Sequence, residues 1–232
     1  MMVMKRLLII MLLIFAIGCV PEVKDTEQLN IDFYQQKGPS CVPAQVLMAL
    51  KYYYPEGDYN LEMIDEMIGR KADKWTWFSQ ALPVLVNEGL DAYYYSMTPY
   101  EDLTPEFVIE FYGDEDGEVI NRVTDWEELN KSIEYLKTTD SYEFEQLEWE
   151  EVENAFFNGN IILMIIDINV AKGNDDLPYA GHGVIITKIN ETDVVFHNSQ
   201  GIPNTVITKE KFVEAWNAPG TDNDIILIKG KK

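Results

Sequence analysis

Residues 35–50 read QQKGPSCVPAQVLMAL, a loop that runs into a helix. Gly38 and Pro39 break regular structure, and after Cys41 apolar residues recur at helical spacing. Cys41 is therefore expected at or just before the first helical turn, where Pro43 is tolerated because its missing N–H would have no intrahelical partner. The N-terminus of a helix carries partial positive charge, which favours thiolate over thiol. This position makes Cys41 the first candidate for a reactive residue.

The composition fits one domain of moderate size preceded by a leader. The chain has 232 residues, of which 47% are hydrophobic. Its 40 acidic and 18 basic residues give a net charge of -22, which argues against binding to nucleic acid or to an anionic membrane surface. Most of these carboxylates are interpreted as a surface that keeps the protein soluble. Cys19 and Cys41 are the two cysteines, and we expect no disulfide and one free thiol in the domain.

The N-terminal segment has the pattern of a targeting signal. Lys5 and Arg6 precede an apolar run from Leu7 to Ile17, and small residues lead to Cys19. This pattern resembles the lipobox of prokaryotic lipoproteins, which implies that Cys19 becomes the lipid-bearing first residue of the mature chain. The expected location is then extracytoplasmic, with a lipid anchor in the cell membrane. An ordinary cleaved secretory signal and an uncleaved anchor are the alternatives.

The expected domain organisation follows from this leader. Residues 1–18 form the lipoprotein signal peptide, the polar residues 19–30 form a tether, and residues 31–232 form one domain. Hydrophobic periodicity predicts helices in the first half and strands in the second, which indicates an α+β fold. The predicted helices are 41–54, 61–68, 73–88, 105–112, 125–137, 148–158 and 208–216. The predicted strands are 92–97, 161–166, 183–189, 194–197 and 225–228.

Two polar residues are expected to meet at the outer ends of a predicted hairpin. His182 precedes the strand 183–189, and Asn198 ends the next strand, 198 - 182 = 16 residues later. A tight turn between antiparallel strands brings their outer ends together, so the Asn198 amide oxygen can fix the orientation of the imidazole. His197 should point to the opposite face and is interpreted as structural.

These residues together resemble the papain-like fold, and in particular the C39-like peptidase family. The resemblance is carried by the spacing of Gln35 and Cys41, by the helix that begins at Cys41, and by the positions of His182 and Asn198. It implies a helical N-terminal half whose nucleophile helix packs on a C-terminal antiparallel sheet. It also implies that Cys41 is the nucleophile, His182 the base, Asn198 the residue that orients His182, and Gln35 the oxyanion donor. Gln36 is the alternative donor.

The leading functional hypothesis is a membrane-anchored cysteine peptidase that cleaves peptide or amide bonds through an acyl-enzyme intermediate and needs no cofactor. The acidic surface favours a cationic peptide or protein as substrate. The sequence does not distinguish hydrolysis, in which water accepts the acyl group, from transfer of the acyl group to an amine.

A catalytically inactive papain-fold binding module, presenting an acidic cleft to a peptide or protein partner, is the alternative from a different class. Its best support is Val42, which stands where the family usually has a glycine.

The acidic segment 114–118 lacks the glycine and glutamate positions of an EF-hand and is interpreted as a solvated turn.

Overall fold

The structure is a computed structural model that describes residues 28–232. The predicted signal peptide, Cys19 and most of the predicted tether lie outside these residues. The last three tether residues are described, and they contact the domain. The Leu29 N–H donates to the Thr187 carbonyl at 2.8 Å, and the Gln28 side chain donates to Asn204 at 2.9 Å. Contacts with the domain therefore begin three residues before the predicted boundary at Ile31.

Nine helices are present between residues 28 and 232. They are α1 (Cys41–Tyr53), α2 (Leu61–Ile68), α3 (Phe78–Asn87), α4 (Pro105–Tyr112), α5 (Asp114–Val123), α6 (Trp126–Leu136), α7 (Trp149–Phe157), α8 (Ile168–Ala171) and α9 (Lys209–Trp216). The predicted helices are confirmed apart from their ends, with one larger difference at α3 and two helices that were not predicted, α5 and α8. None of the helices in this part of the chain is both apolar and long enough for a transmembrane span.

Helix α3 begins five residues later than the prediction that placed its start at Asp73. The side-chain oxygen of Gln80 accepts a hydrogen bond from the Trp77 N–H at 2.9 Å, which fixes the helix start at this turn. The guanidinium of Arg70 donates to the carbonyls of Lys71 and Ala72 at 3.3 and 3.1 Å. These carbonyls are thereby held in a loop, and the apolar spacing of residues 73–77 does not lead to a helix.

The acidic segment 114–118 is helical, and its interpretation as a solvated turn is wrong. It forms the first turn of α5, where three carboxylates face the positive end of the helix dipole. Gly117 allows α5 to approach α4 closely, because a Cβ at this position would lie 2.6 Å from the Cα of Ile109. Gly117 is thus a packing position.

The strands of residues 28–232 form one seven-stranded sheet in the order β2-β1-β7-β3-β4-β5-β6. The strands are β1 (Leu90–Ser96), β2 (Tyr142–Phe144), β3 (Ile161–Asp167), β4 (Gly181–Ile189), β5 (Asp193–Asn198), β6 (Ile202–Thr208) and β7 (Ile225–Lys231). The α+β class is confirmed. The predicted antiparallel pairing holds for β3 to β7 and for β1 with β7, whereas β1 and β2, which come from the first half of the chain, pair with each other in parallel. Strands β2 and β6, both at edges, were not predicted.

The sheet separates two hydrophobic cores. Helices α1 and α3 cover one face, where Leu47 and Leu82 pack with Ile185. Helices α7 and α9 cover the other face, where Phe156 and Trp216 pack with Val184 and Ile186. Adjacent residues of β4 thus belong to different cores, as the alternation of side chains along a strand requires.

One end of the sheet gathers polar residues from many strands. Because neighbouring strands are mostly antiparallel, the first residues of β4 and β7 lie beside the last residues of β1, β3 and β5. This end carries His182 and Asn198, and also Ser96, Asp167 and Asp224, all of which are buried. The candidate site lies here.

Candidate active site

Cys41 is the first residue of α1 and a free, half-buried thiol. The residue before it, Ser40, does not cap the helix, because its hydroxyl instead accepts from the Lys37 N–H at 3.0 Å and donates to the Lys37 carbonyl at 2.9 Å. The backbone N–H groups of Cys41 and Val42 therefore remain available at the helix N-terminus, and they favour the thiolate. Val42 itself is buried in the helical core, with its side chain also reaching the cavity described below.

A glutamine one turn after Cys41 fixes α1 to strand β4. The Gln45 amide is fully buried; oriented by its hydrogen bonds, it donates to the Val184 carbonyl at 2.7 Å and accepts from the Val184 N–H at 3.1 Å. The side chain thus pairs with the strand as a peptide group would. Gly183 makes room for it, because a Cβ at this position would overlap the Gln45 amide. Helix α1 is thereby held against the residue that follows His182.

His182 and Asn198 are in direct contact, as the hairpin argument predicts. The His182 Nε2 lies 2.9 Å from Asn198 Oδ1, and both side chains are buried. The same Asn198 atom accepts a hydrogen bond from the Gln200 N–H at 3.0 Å. An atom that accepts from a backbone N–H is the amide oxygen, so Nε2 of a neutral His182 must carry the proton. The lone pair is then on Nδ1, which has no hydrogen-bond partner among residues 28–232.

Cys41 and His182 line the same cavity, but no hydrogen bond joins them in the described structure. Burial raises the pKa of Cys41, partly offset by backbone N–H groups that include Gly183. Burial also lowers the pKa of His182 to about 4. Both directions favour a neutral thiol and a neutral imidazole in the resting protein. Hydrogen bonds between catalytic groups often tighten only when substrate binds.

The structure places Gln36, not Gln35, at the cavity. Gln35 is exposed and lies beside Gly201, whereas Gln36 is part of the cavity wall. The Gln36 amide is fixed on both sides, because Ser199 Oγ donates to its oxygen at 2.7 Å and its nitrogen donates to the Gly38 carbonyl at 2.6 Å. One N–H of that nitrogen remains for another acceptor. The geometry therefore favours the alternative donor, Gln36, over Gln35.

His197 has no free ring nitrogen. Its Nδ1 accepts from the Asn204 N–H at 3.1 Å, and its Nε2 donates to the Ile31 carbonyl at 2.8 Å. Burial lowers its pKa. These contacts support the interpretation of His197 as structural.

The cavity has a volume of about 280 Å³ and contains two carboxylates that the sequence analysis did not identify. Asp222 and Asp224 stand in the loop before β7, and they line the cavity together with Cys41 and His182. In the sequence, the polar run 220–224 has the pattern of an ordinary turn, so no local signal points to this role. No group of three or more histidine, cysteine or acidic side chains suited to a metal ion occurs in residues 28–232.

His182 and Asp224 are both buried, and they give opposite dependences of stability on pH. Burial lowers the pKa of His182 from 6.5 to about 4, so its contribution is full above pH 6.5 and falls as the pH drops towards 4. Burial, followed by the charge of Asp222, raises the pKa of Asp224 from 3.8 to about 8, so its contribution falls as the pH rises from 3.8 towards 8. Between pH 4 and 6.5 the two effects oppose each other.

We therefore expect single substitutions to reveal slopes that the native protein conceals. With Asp224→Asn the free energy of unfolding should increase with pH between 4 and 6.5, and with His182→Gln it should decrease, each by about 1.4 kcal/mol per pH unit relative to the native protein. Denaturant unfolding at several pH values measures these slopes. Identical slopes in all three proteins would contradict the burial of these groups.

Comparisons with known proteins give similarity to solved structures only. No family model and no curated protein matches the chain. The chain is similar in structure to a Bacillus anthracis protein, described for its crystal structure as a candidate C39-like peptidase. The TM-score is 0.46 at 15% sequence identity, and the match covers 89% of this chain and 100% of the other.

Proposed function

We propose that this protein is a papain-like cysteine peptidase that cleaves peptide or amide bonds through a thioester on Cys41. The observation that carries the proposal is that Cys41 and His182 line the same cavity. Cys41 stands at an uncapped helix N-terminus, and the contact of Asn198 with Nε2 leaves the acceptor nitrogen Nδ1 of His182 free. The pairing of thiol, imidazole and amide is the arrangement that papain-like proteases use.

In the first half of the reaction, Cys41 Sγ attacks the carbonyl carbon of the scissile bond. The thiol proton passes to His182 Nδ1, and a sulfur–carbon bond forms as the carbonyl oxygen becomes an oxyanion. The Cys41 N–H and the remaining N–H of the Gln36 amide are the candidate donors to that oxygen. The carbon–nitrogen bond then breaks, and the proton on Nδ1 moves to the leaving amine.

In the second half of the reaction, a water molecule takes the place that the leaving amine has vacated. His182 Nδ1 takes a proton from this water as the water oxygen attacks the thioester carbon, and the carbon–sulfur bond breaks. The proton then returns to sulfur, which restores the thiol. An amine acceptor in place of water would turn the same step into acyl transfer. The steps use only side chains, backbone N–H groups and water.

The proposal places the enzyme outside the cytoplasm. The lipobox-like leader supports a lipid on Cys19 that holds the domain at the cell membrane, and a peptide or protein is the proposed substrate. Mass measurement of the mature N-terminal peptide from a bacterial host tests this part separately. An N-terminus at Cys19 carrying a lipid is expected, and an unmodified N-terminus would contradict it.

The alkylation rate of Cys41 tests the proposed partnership with His182. Because burial raises the pKa of Cys41, proton transfer to His182 is needed for the thiol to react at neutral pH. We expect His182→Gln to slow alkylation by iodoacetamide by about tenfold or more, since removal of the base leaves the raised pKa of the thiol uncompensated. Peptide mass mapping follows Cys41 specifically. The control is His197→Gln, the same change at the histidine that has both nitrogens occupied, which should leave the rate unchanged.

The missing hydrogen bond between Cys41 and His182 favours a second candidate, the inactive binding module. In that case the cavity holds a peptide or partner without chemistry, and the imidazole does not affect the thiol. Equal alkylation rates for the native protein and His182→Gln would support this candidate and overturn the peptidase. The same experiment thus separates the two.

A further inference from the structure

Two carboxylates in the cavity are held in the same unusual way. Asp224 Oδ1 accepts hydrogen bonds from Tyr94 at 2.7 Å and from Ser96 at 2.5 Å, whereas its Oδ2 has no donor among the described residues. Asp222 Oδ2 accepts from Tyr112 and Thr98, whereas its Oδ1 has none. Neither free oxygen is completely buried, and both residues line the cavity. Each carboxylate is thus fixed on one side and open on the other.

The charge of these carboxylates is not balanced by the protein. Asp224 is only 6% exposed, yet none of the ion pairs between residues 28 and 232 includes Asp222 or Asp224. The cavity wall contains no lysine or arginine in this part of the chain. Buried charges are normally paired, and these two are without a cation.

The rest of the cavity wall also suits a cation. Tyr112, Tyr179, Trp75, Trp77 and Phe78 present aromatic rings to the cavity, and aromatic faces attract cations. Tyr179 is held between two glycines, since a Cβ on Gly181 would overlap its ring and a Cβ on Gly220 would lie 3.3 Å from it. At about 280 Å³ the cavity is near the lower limit of about 300 Å³ for small-molecule pockets. It has room for one long side chain.

The carboxylates lie within reach of the nucleophile. The Ile165 N–H donates to the Asp224 carbonyl at 3.1 Å, Ile165 pairs with Gly183 on β4, and Gly183 lies against Cys41. Two strand spacings of about 4.8 Å therefore separate Asp224 from Gly183, about 10 Å in all. A lysine or arginine side chain on a residue next to the scissile bond, together with the side chain of the aspartate, spans such a distance.

The loop that carries the carboxylates is built for this placement. Asp222 and Asn223 both have φ of 53°, in the left-handed region. Aspartate and asparagine tolerate this region better than other non-glycine residues, although it still costs free energy.

We infer that Asp222 and Asp224 determine specificity for a lysine or arginine side chain beside the bond that Cys41 attacks. The inference rests on the proposed peptidase function and names its substrate class. The cation is bound by the two open carboxylate oxygens and by the aromatic walls. An empty cavity avoids an unpaired buried charge because burial raises the pKa of Asp224 to about 8, and the entering cation favours release of that proton.

Charged thiol reagents test the cation site without requiring cleavage. The full chain is treated with methanethiosulfonates carrying an ethylammonium, a hydroxyethyl or an ethylsulfonate group, and modification of Cys41 is followed by peptide mass mapping. The pH is kept above 8, where Asp224 is ionised. We expect the ammonium reagent to be favoured over the hydroxyethyl reagent by about tenfold or more, and each of Asp224→Asn and Asp222→Asn to reduce that ratio by at least about threefold.

A control distinguishes the effect of the cavity carboxylates from that of the acidic protein surface. Asp58→Asn removes the same charge at an exposed position outside the cavity wall, and it should leave the ratio unchanged. High salt should also leave most of the preference intact, since salt screens exposed charges more than buried ones. Using two separate variants covers the case in which one of them does not fold, as judged by circular dichroism. An equal ratio in the native protein and the folded variants would overturn the inference.

Peptide cleavage distinguishes failure of the inference from failure of the proposed function. Matched peptides carry lysine, arginine, norleucine or citrulline at the position before the scissile bond and, in a second set, after it. Preference for the cationic pair, lost in Asp224→Asn, supports the inference. Cleavage without that preference overturns the inference but supports the proposed peptidase function. A charge preference in thiol modification without any peptide cleavage supports the cation site and overturns the proposed peptidase function.

Discussion

Replacing Cys41 by serine is expected to lower the rate of peptide cleavage by about 1,000-fold or more. Serine retains the shape of the side chain, so the fold and the binding of substrate should be preserved. Its hydroxyl is a much weaker nucleophile at neutral pH than a thiol that passes its proton to a base. The measurement is mass spectrometry of a peptide mixture that contains both basic and neutral sequences.

The chain provides a matched control in its other cysteine. Cys19→Ser makes the same chemical change in the leader, where the proposed role is lipid attachment, and cleavage of soluble peptides should continue at the native rate. Cleavage by Cys41→Ser at more than about a tenth of the native rate would show that another residue supplies the nucleophile, which would end the proposal.

Replacing Gly183 by alanine is expected to produce the largest loss of stability outside the hydrophobic cores. The new methyl group would overlap the fully buried Gln45 amide. Gln45 must then give up its two hydrogen bonds to Val184, or α1 must move away from β4. We expect the free energy of unfolding to fall by about 2–4 kcal/mol, because a buried amide and two strand groups lose their partners. Urea unfolding followed by circular dichroism measures this change.

A double substitution tests whether Gln45 is the cause. Gly183 has no other close contact for a methyl group, since the next atom, the Cys41 carbonyl carbon, would lie at an ordinary 3.5 Å. In a protein that already carries Gln45→Ala, the change Gly183→Ala should therefore cost less than about 1 kcal/mol. If the two costs simply add, the amide does not occupy the space above Gly183, and the described contact between α1 and β4 is incorrect.

The core of the candidate site was predictable where its signals are local. A glycine and a proline followed by helical spacing indicate the start of α1 at Cys41, and a short hairpin makes His182 and Asn198 neighbours by the geometry of two strands. The choice between Gln35 and Gln36 was not predictable in this way. Adjacent residues of an extended segment point in opposite directions, and a shift of one position reverses which of them faces the cavity.

The carboxylates of the cavity could not be predicted because their position depends on the order of the strands. Asp222 and Asp224 reach the cavity since β7 pairs with both β1 and β3, and local sequence does not specify such pairing. Edge strand β6 was missed for a related reason. Most of its residues are exposed, so its pattern lacks the continuous apolar character that revealed β3. Helix α5 was missed because its acidic first turn was interpreted as a solvated turn.

The position of β7 has a consequence for biogenesis. Strand β7 follows the other six described strands in the chain but lies between β1 and β3, so the sheet consists of two separate parts, β2-β1 and β3-β4-β5-β6, until residues 225–231 pair with both. Hydrogen bonding across the middle of the sheet must therefore wait until residues 225–231 have been made. Contacts between such distant parts of a chain form slowly. The thiol and the carboxylates consequently come together only after residues 222–231 have been made, so a shorter nascent chain has no finished cavity.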